Sequence, residues 1–132
     1  MIWEIHRAIT ADPLISMLVG ERIKFYEYPP SGDVTGSWII VDPIGPPLPT
    51  DYADDKPTAY EYLYQIDVWS KTETEQKNIA RQIGEVLRRE LGAGQYGTGV
   101  DEWDKDLNIF RDGRRYKLKE YLLDQEEEIE HG

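Results

Sequence analysis

The sequence predicts an α+β domain: a mainly antiparallel sheet of four to five strands, with an N-terminal helix and a central amphipathic helix packed on it. Three stretches carry this. Tyr60 to Trp69 alternates, with Tyr60, Tyr62, Tyr64, Ile66 and Val68 on one face of a strand. Thr72 to Leu91 then switches to helical spacing, with Ile79, Ile83, Val86, Leu87 and Leu91 between charged residues. Leu107 to Leu118 reads as two short strands around Asp112-Gly113, a favoured two-residue hairpin turn.

The elements follow in order. Ile2, Ile5 and Ile9 share one helical face, with His6 beside them. Asp12-Pro13 reads as an N-cap followed by proline at the first helical position. Leu14, Met17, Leu18 and Val19 continue the apolar pattern to Gly20, so two short helices or one broken helix are expected. Arg22 to Tyr28 is a first strand, with Ile23, Phe25 and Glu27 on one face and Tyr26 and Tyr28 on the other. Pro29 to Asp33 breaks it. Ser37 to Asp42 is a short second strand, stopped at Pro43.

Gly45 to Pro57 holds four prolines and three aspartates without periodicity, so a long irregular loop is expected there. Its large side chains, Leu48 and Tyr52, are suited to anchoring on a partner, with Asp54 and Asp55 beside them. In the central helix Thr72 and Glu75 fit a capping box, and Ser70 and Glu73 offer the same spacing. Gly92 supplies the left-handed C-cap. Pairing across Asp112-Gly113 places Leu107, Ile109, Tyr116 and Leu118 on one face. Residues 1–123 form one domain, and 124–132 an acidic tail.

Composition excludes several functions. The chain has 132 residues and no cysteine, which rules out disulfides and thiolate metal sites. Its net charge of −11 argues against holding a phosphate backbone, which needs clustered Lys and Arg. The N-terminus lacks a signal-peptide pattern and no stretch has membrane-span length, so folding in a cytoplasm without membrane contact is expected.

No enzyme motif survives inspection. Gly92-x-Gly94-x-x-Gly97 follows a helix, whereas the dinucleotide fingerprint follows a strand. Asp104-x-Asp106-x-Asn108 lacks the glycine and the final glutamate of a calcium loop. Asp51, Asp54 and Asp55 read as a solvated loop. His6 and His131 have no partnered nucleophile. No catalytic residue, cofactor or metal ligand is assigned.

The basic run Arg111, Arg114, Arg115, Lys117 and Lys119 has two balanced readings. One is a solvated face that blunts a sheet edge. The other is a contact with acidic surface on a neighbouring copy. DNA contact ranks third.

The order of elements resembles the tail-completion, or tail-terminator, proteins of long non-contractile-tailed bacteriophages and prophages. The resemblance rests on Asp12-Pro13-Leu14, Leu18-Val19-Gly20, Arg22-Ile23 and Trp38-Ile39-Ile40-Val41. Most telling are Gln65-Ile66-Asp67-Val68-Trp69-Ser70 and the helix Ile79-Ala80-x-x-Ile83-x-x-x-Leu87. It spans about residues 1–120.

That resemblance implies a structural virion protein. Such proteins form a ring, typically hexameric, at the head-proximal end of the tail tube. They stop tube polymerisation and meet the head connector, and DNA passes through the lumen without specific binding. The implied partners are other copies of the chain, the major tail tube protein and the head connector or stopper. Assembly would take place in the bacterial host cytoplasm. Local chemistry, not the family, nominates Leu48, Tyr52, Asp54, Asp55, Arg111, Arg114, Arg115 and Lys117 as contact residues. Two alternatives remain: a head-side neck protein (adaptor or stopper), and a small cytoplasmic ligand-binding module or enzyme.

Overall fold

The alternating stretch and the helix after it form the centre of the molecule. A computed structural model describes residues 1–26 and 36–122. The elements are α1 (Ile2–Ala11), α2 (Pro13–Val19), β1 (Ile23–Phe25), β2 (Trp38–Pro43), β3 (Leu48–Ala53), β4 (Lys56–Ser70), α3 (Glu73–Leu91), β5 (Gly94–Gln95), β6 (Val100–Asp104) and β7 (Ile109–Tyr121). The expected break at Pro29 to Asp33, the end of the expected first strand at Glu27 and Tyr28, the acidic tail 124–132 and His131 lie outside the described residues.

Two long antiparallel strands, β4 and β7, run side by side from Ala59↔Tyr121 to Ser70↔Phe110. The far edge of β4 carries β2 and β3 in succession, and the far edge of β7 carries β6 and β5. β1 extends the sheet beside β2, and this pair alone is parallel. The mainly antiparallel α+β class therefore stands, but with seven strands rather than four to five. The extra strands are short edge pieces without a buried face, and alternation is invisible where neither face is covered.

The helices pack on one sheet face. Ile79, Ala80, Ile83, Val86 and Leu87 of α3 meet Tyr64, Ile66, Val68, Tyr116 and Leu118 of the central strands, with Ile5, Ile9, Ile15 and Val19 from α1 and α2. These spacings are those expected from the sequence; Leu91 and Ile2 are half-buried. The Asp12 side chain accepts from Ile15 N at 3.1 Å, capping α2 behind Pro13. Gly92 closes α3 at φ 64.

The start of α3 departs from the capping box. Thr72 is the N-cap but makes no side-chain cap bond. Glu75 instead accepts from the buried Ser37 hydroxyl at 2.5 Å and from Ser70 Oγ at 3.4 Å. Ser70 Oγ also accepts from Thr72 N at 3.2 Å. Tertiary partners thus took the glutamate that local spacing assigned to the cap.

The Asp112-Gly113 turn does not exist. Both residues are buried inside β7 and neither has the positive φ that a type I′ turn requires. The hairpin lies earlier, between β6 and β7, where Asp104 Oδ1 accepts from Asp106 N and Leu107 N. Because β7 is continuous, Ile109 has the opposite parity to Tyr116 and Leu118, and Leu107 is exposed.

Candidate functional site

The run expected as an irregular loop is a β-arm. β3 folds back on the first residues of β4 through Asp54 (φ 51) and Asp55 (φ 64), which take the left-handed conformation of a tight hairpin turn. Aspartate tolerates that conformation better than most residues, which is the signal the sequence held without a glycine. Five of the six β3 residues are exposed. Leu48 and Tyr52 stand 62% and 63% exposed, and Tyr121 on the neighbouring end of β7 is equally open. Side chains of this size are costly to leave in water and are typical contact anchors.

The basic run does not form one patch. Arg111, Arg115, Lys117 and Lys119 alternate onto the sheet face opposite the helices. Arg114 has the other parity and lies on the helix side, where Nε is 2.9 Å from Asp112 Oδ1.

The outer bases are engaged within the chain. Arg111 bonds the buried Asp67 carboxylate at 3.0 Å and lies over the Trp69 ring. Arg115 Nε donates to Gln65 Oε1 at 3.2 Å. Lys117 is 3.7 Å from Glu61 and sits over Tyr96. Lys119 holds Asp51 at 2.9 Å. The acidic arm and the basic strand, expected to reach different copies, therefore meet partly inside one chain. Asp54 and Asp55, at the tip, have no such partner among the described residues.

Beneath β7 lies a polar clamp that sequence reasoning missed. Asp112 accepts from Lys77 Nζ at 2.9 Å and from Arg114. Lys77 also meets Asp101 at 2.9 Å. Burial pulls the Lys77 ammonium down, but its bonds to Asp101 and Asp112 outweigh this and its pKa is raised. Gln76 is fully buried, and its amide oxygen, turned to β7, accepts from Arg111 N at 3.0 Å and Asp112 N at 2.9 Å. A glutamine at an a/d-type position of an amphipathic helix was the available hint.

Among the described residues no group of three or more His, Asp or Glu side chains is placed to hold a metal, and no helix is long and apolar enough to cross a membrane. His6 packs against Trp3 and Phe25 with ring centroids 6.2 and 5.5 Å away. Gly94 of the glycine string is in β5, paired with Lys117.

The fold is an α+β sheet braced by ion pairs, with Leu48 and Tyr52 exposed on a β-arm. The sequence profile of the family described as Tail completion protein gp17 matches residues 4–94. The chain belongs to that family and is a structural protein of a bacteriophage tail. Among solved structures it is similar to a chain of the virion of a native gene transfer agent particle. That likeness has a TM-score of 0.60 at 16% identity, and covers 87% of this chain and 90% of that one. At such identity it establishes a shared fold. No protein with a curated description matches.

Proposed function

We propose that this protein closes the head-proximal end of the tail tube as a hexameric ring, stops tube polymerisation and forms the surface that joins head to tail. The family match over residues 4–94 carries this reading. The exposed arm supports it, because Leu48 and Tyr52 stand open there as candidate anchors and Asp54 and Asp55 mark its tip. Arg115 and Lys117 are exposed on the outer sheet face, where Gln65 and Glu61 of their own chain engage them. The net charge of −11 fits a lumen through which DNA passes without specific binding, since bound phosphates require neutralising cations. The protein resides in the virion at the head-to-tail joint and is assembled in the host cytoplasm.

The test is to add the purified chain to growing tail tubes and image the ends by electron microscopy. The expected result is a ring on one end and tubes that no longer lengthen. Binding to the head connector without any binding to tubes would overturn the tail-side reading in favour of a neck adaptor or stopper.

A further inference from the structure

The arm is lightly braced. Among the described residues β3 pairs with β4 alone, and five of its six residues are exposed. Pro49 and Pro57 have no N–H to give, and the register passes from Thr50↔Ala59 to Tyr52↔Pro57 without pairing Asp51 and Thr58. A two-stranded hairpin of this kind is marginal by itself.

Asp51 is where the arm is tied down. Its φ is 56, a left-handed conformation that costs free energy for any residue with a Cβ. Regular alternation would send its side chain away from the face that Thr50 and Tyr52 share with Lys119. Instead both of its carboxylate oxygens accept from Lys119 Nζ, at 2.9 and 3.2 Å, and its carbonyl accepts from the Thr58 hydroxyl. Lys119 belongs to β7, so the pair reaches across β4. Ala59 lies between the two positions in register and is 0% exposed, a side chain small enough to be crossed. The bond to Asp51 raises the Lys119 pKa, which keeps the cation charged.

We propose that Asp51 and Lys119 form a strap that sets the direction of the arm, so that Leu48, Tyr52 and Tyr121 stand on one face before a partner arrives. The three share that face by register, Leu48 opposite Glu61, Tyr52 opposite Pro57 and Tyr121 opposite Ala59. This rests on the reading of the arm as a contact surface and deepens it, because anchors held in place beforehand lower the ordering cost of contact. An exposed ion pair shifts a local equilibrium by no more than about fivefold. That is too little to decide the fold and enough to tip a marginal hairpin.

The test compares Lys119→Met, Asp51→Asn and Lys119→Arg with the unsubstituted chain. Methionine keeps the apolar stem without the charge, asparagine keeps tolerance of the left-handed conformation, and arginine keeps the pair. The readouts are amide hydrogen exchange over residues 48–58, urea unfolding and capping of tail tubes. Lys119→Met and Asp51→Asn are expected to speed arm exchange roughly threefold and weaken capping by a similar factor, with the urea midpoint unchanged. Lys119→Arg is expected to match the unsubstituted chain. Salt at about 1 M is expected to loosen the unsubstituted arm as the two variants do, and to leave those variants as they are.

Unchanged arm exchange in both Lys119→Met and Asp51→Asn would overturn the strap. Faster exchange with full capping would also overturn it, because the arm would then be ordered by its partner and not beforehand. If the unsubstituted chain caps no tube, the tail-end reading has failed, and arm exchange by itself still decides whether the strap exists.

Discussion

The Asp112 carboxylate lies 2.9 Å from the Lys77 ammonium, joining α3 to the middle of β7 through a group that is 3% exposed. Arg114 takes the other carboxylate oxygen at 2.9 Å. Asp112→Ala removes the shared anion and leaves both cations facing one another. Lys77 keeps Asp101, so a loss of about 3 kcal/mol is expected, the low end for a broken buried pair. Urea unfolding is expected to show a lower midpoint with an unchanged slope.

Gly113 is next to this anion and faces the other way. A Cβ there would run into the Asp67 carboxylate, which Arg111 holds in place. Gly113→Ala is therefore expected to cost about 1–3 kcal/mol, as overpacking does. The melting temperature is expected to fall by roughly 3–5 °C per kcal/mol.

The arm separates stability from assembly. Leu48→Ser and Tyr52→Ser alter exposed positions and are expected to change unfolding free energy by no more than about 0.5 kcal/mol. Ring formation on tube ends is expected to drop at least about tenfold for each, because anchor residues dominate contact energy. A variant that lost stability and assembly in proportion would place these side chains in the fold rather than at a contact.

Alkaline pH is expected to destabilise the protein. Burial pushes Tyr64 from 10.0 up to about 12, and burial also raises Tyr116 and Tyr62. Above pH 10 the unfolded chain releases protons that the folded chain retains, so stability present below pH 10 is lost as pH climbs through 12. Lys77, raised from 10.5, acts in the same direction. Tyr64 alone contributes up to about 2–3 kcal/mol. Denaturant titrations below and above pH 10 measure the fall, and Tyr64→Phe is expected to reduce it.

What was legible in the sequence was whatever a residue settles with its near neighbours. Asp12 caps α2 and Gly92 ends α3 because both act within one helical turn. The alternation from Tyr60 and the spacing of Ile79, Ile83 and Leu87 showed a strand and helix because one face of each is buried. The exposure of Leu48 and Tyr52 was also readable, although the arm that carries them was not.

The tertiary structure alone decided the rest, wherever a residue's partner is distant in the chain. Asp112-Gly113 has the composition of a turn, but Lys77, 35 positions away, and Asp67 on the next strand hold it extended. Glu75 has cap spacing, but Ser37 is 38 positions away and takes it. Arg111 joins Lys117 on the open side and Ile109 parts from Tyr116 and Leu118 once β7 is one strand, because parity runs unbroken only where no turn intervenes. Local propensities differ by about 1 kcal/mol per residue. A buried ion pair whose breakage costs several times that overrides them, and sets which charged groups remain free to meet another molecule.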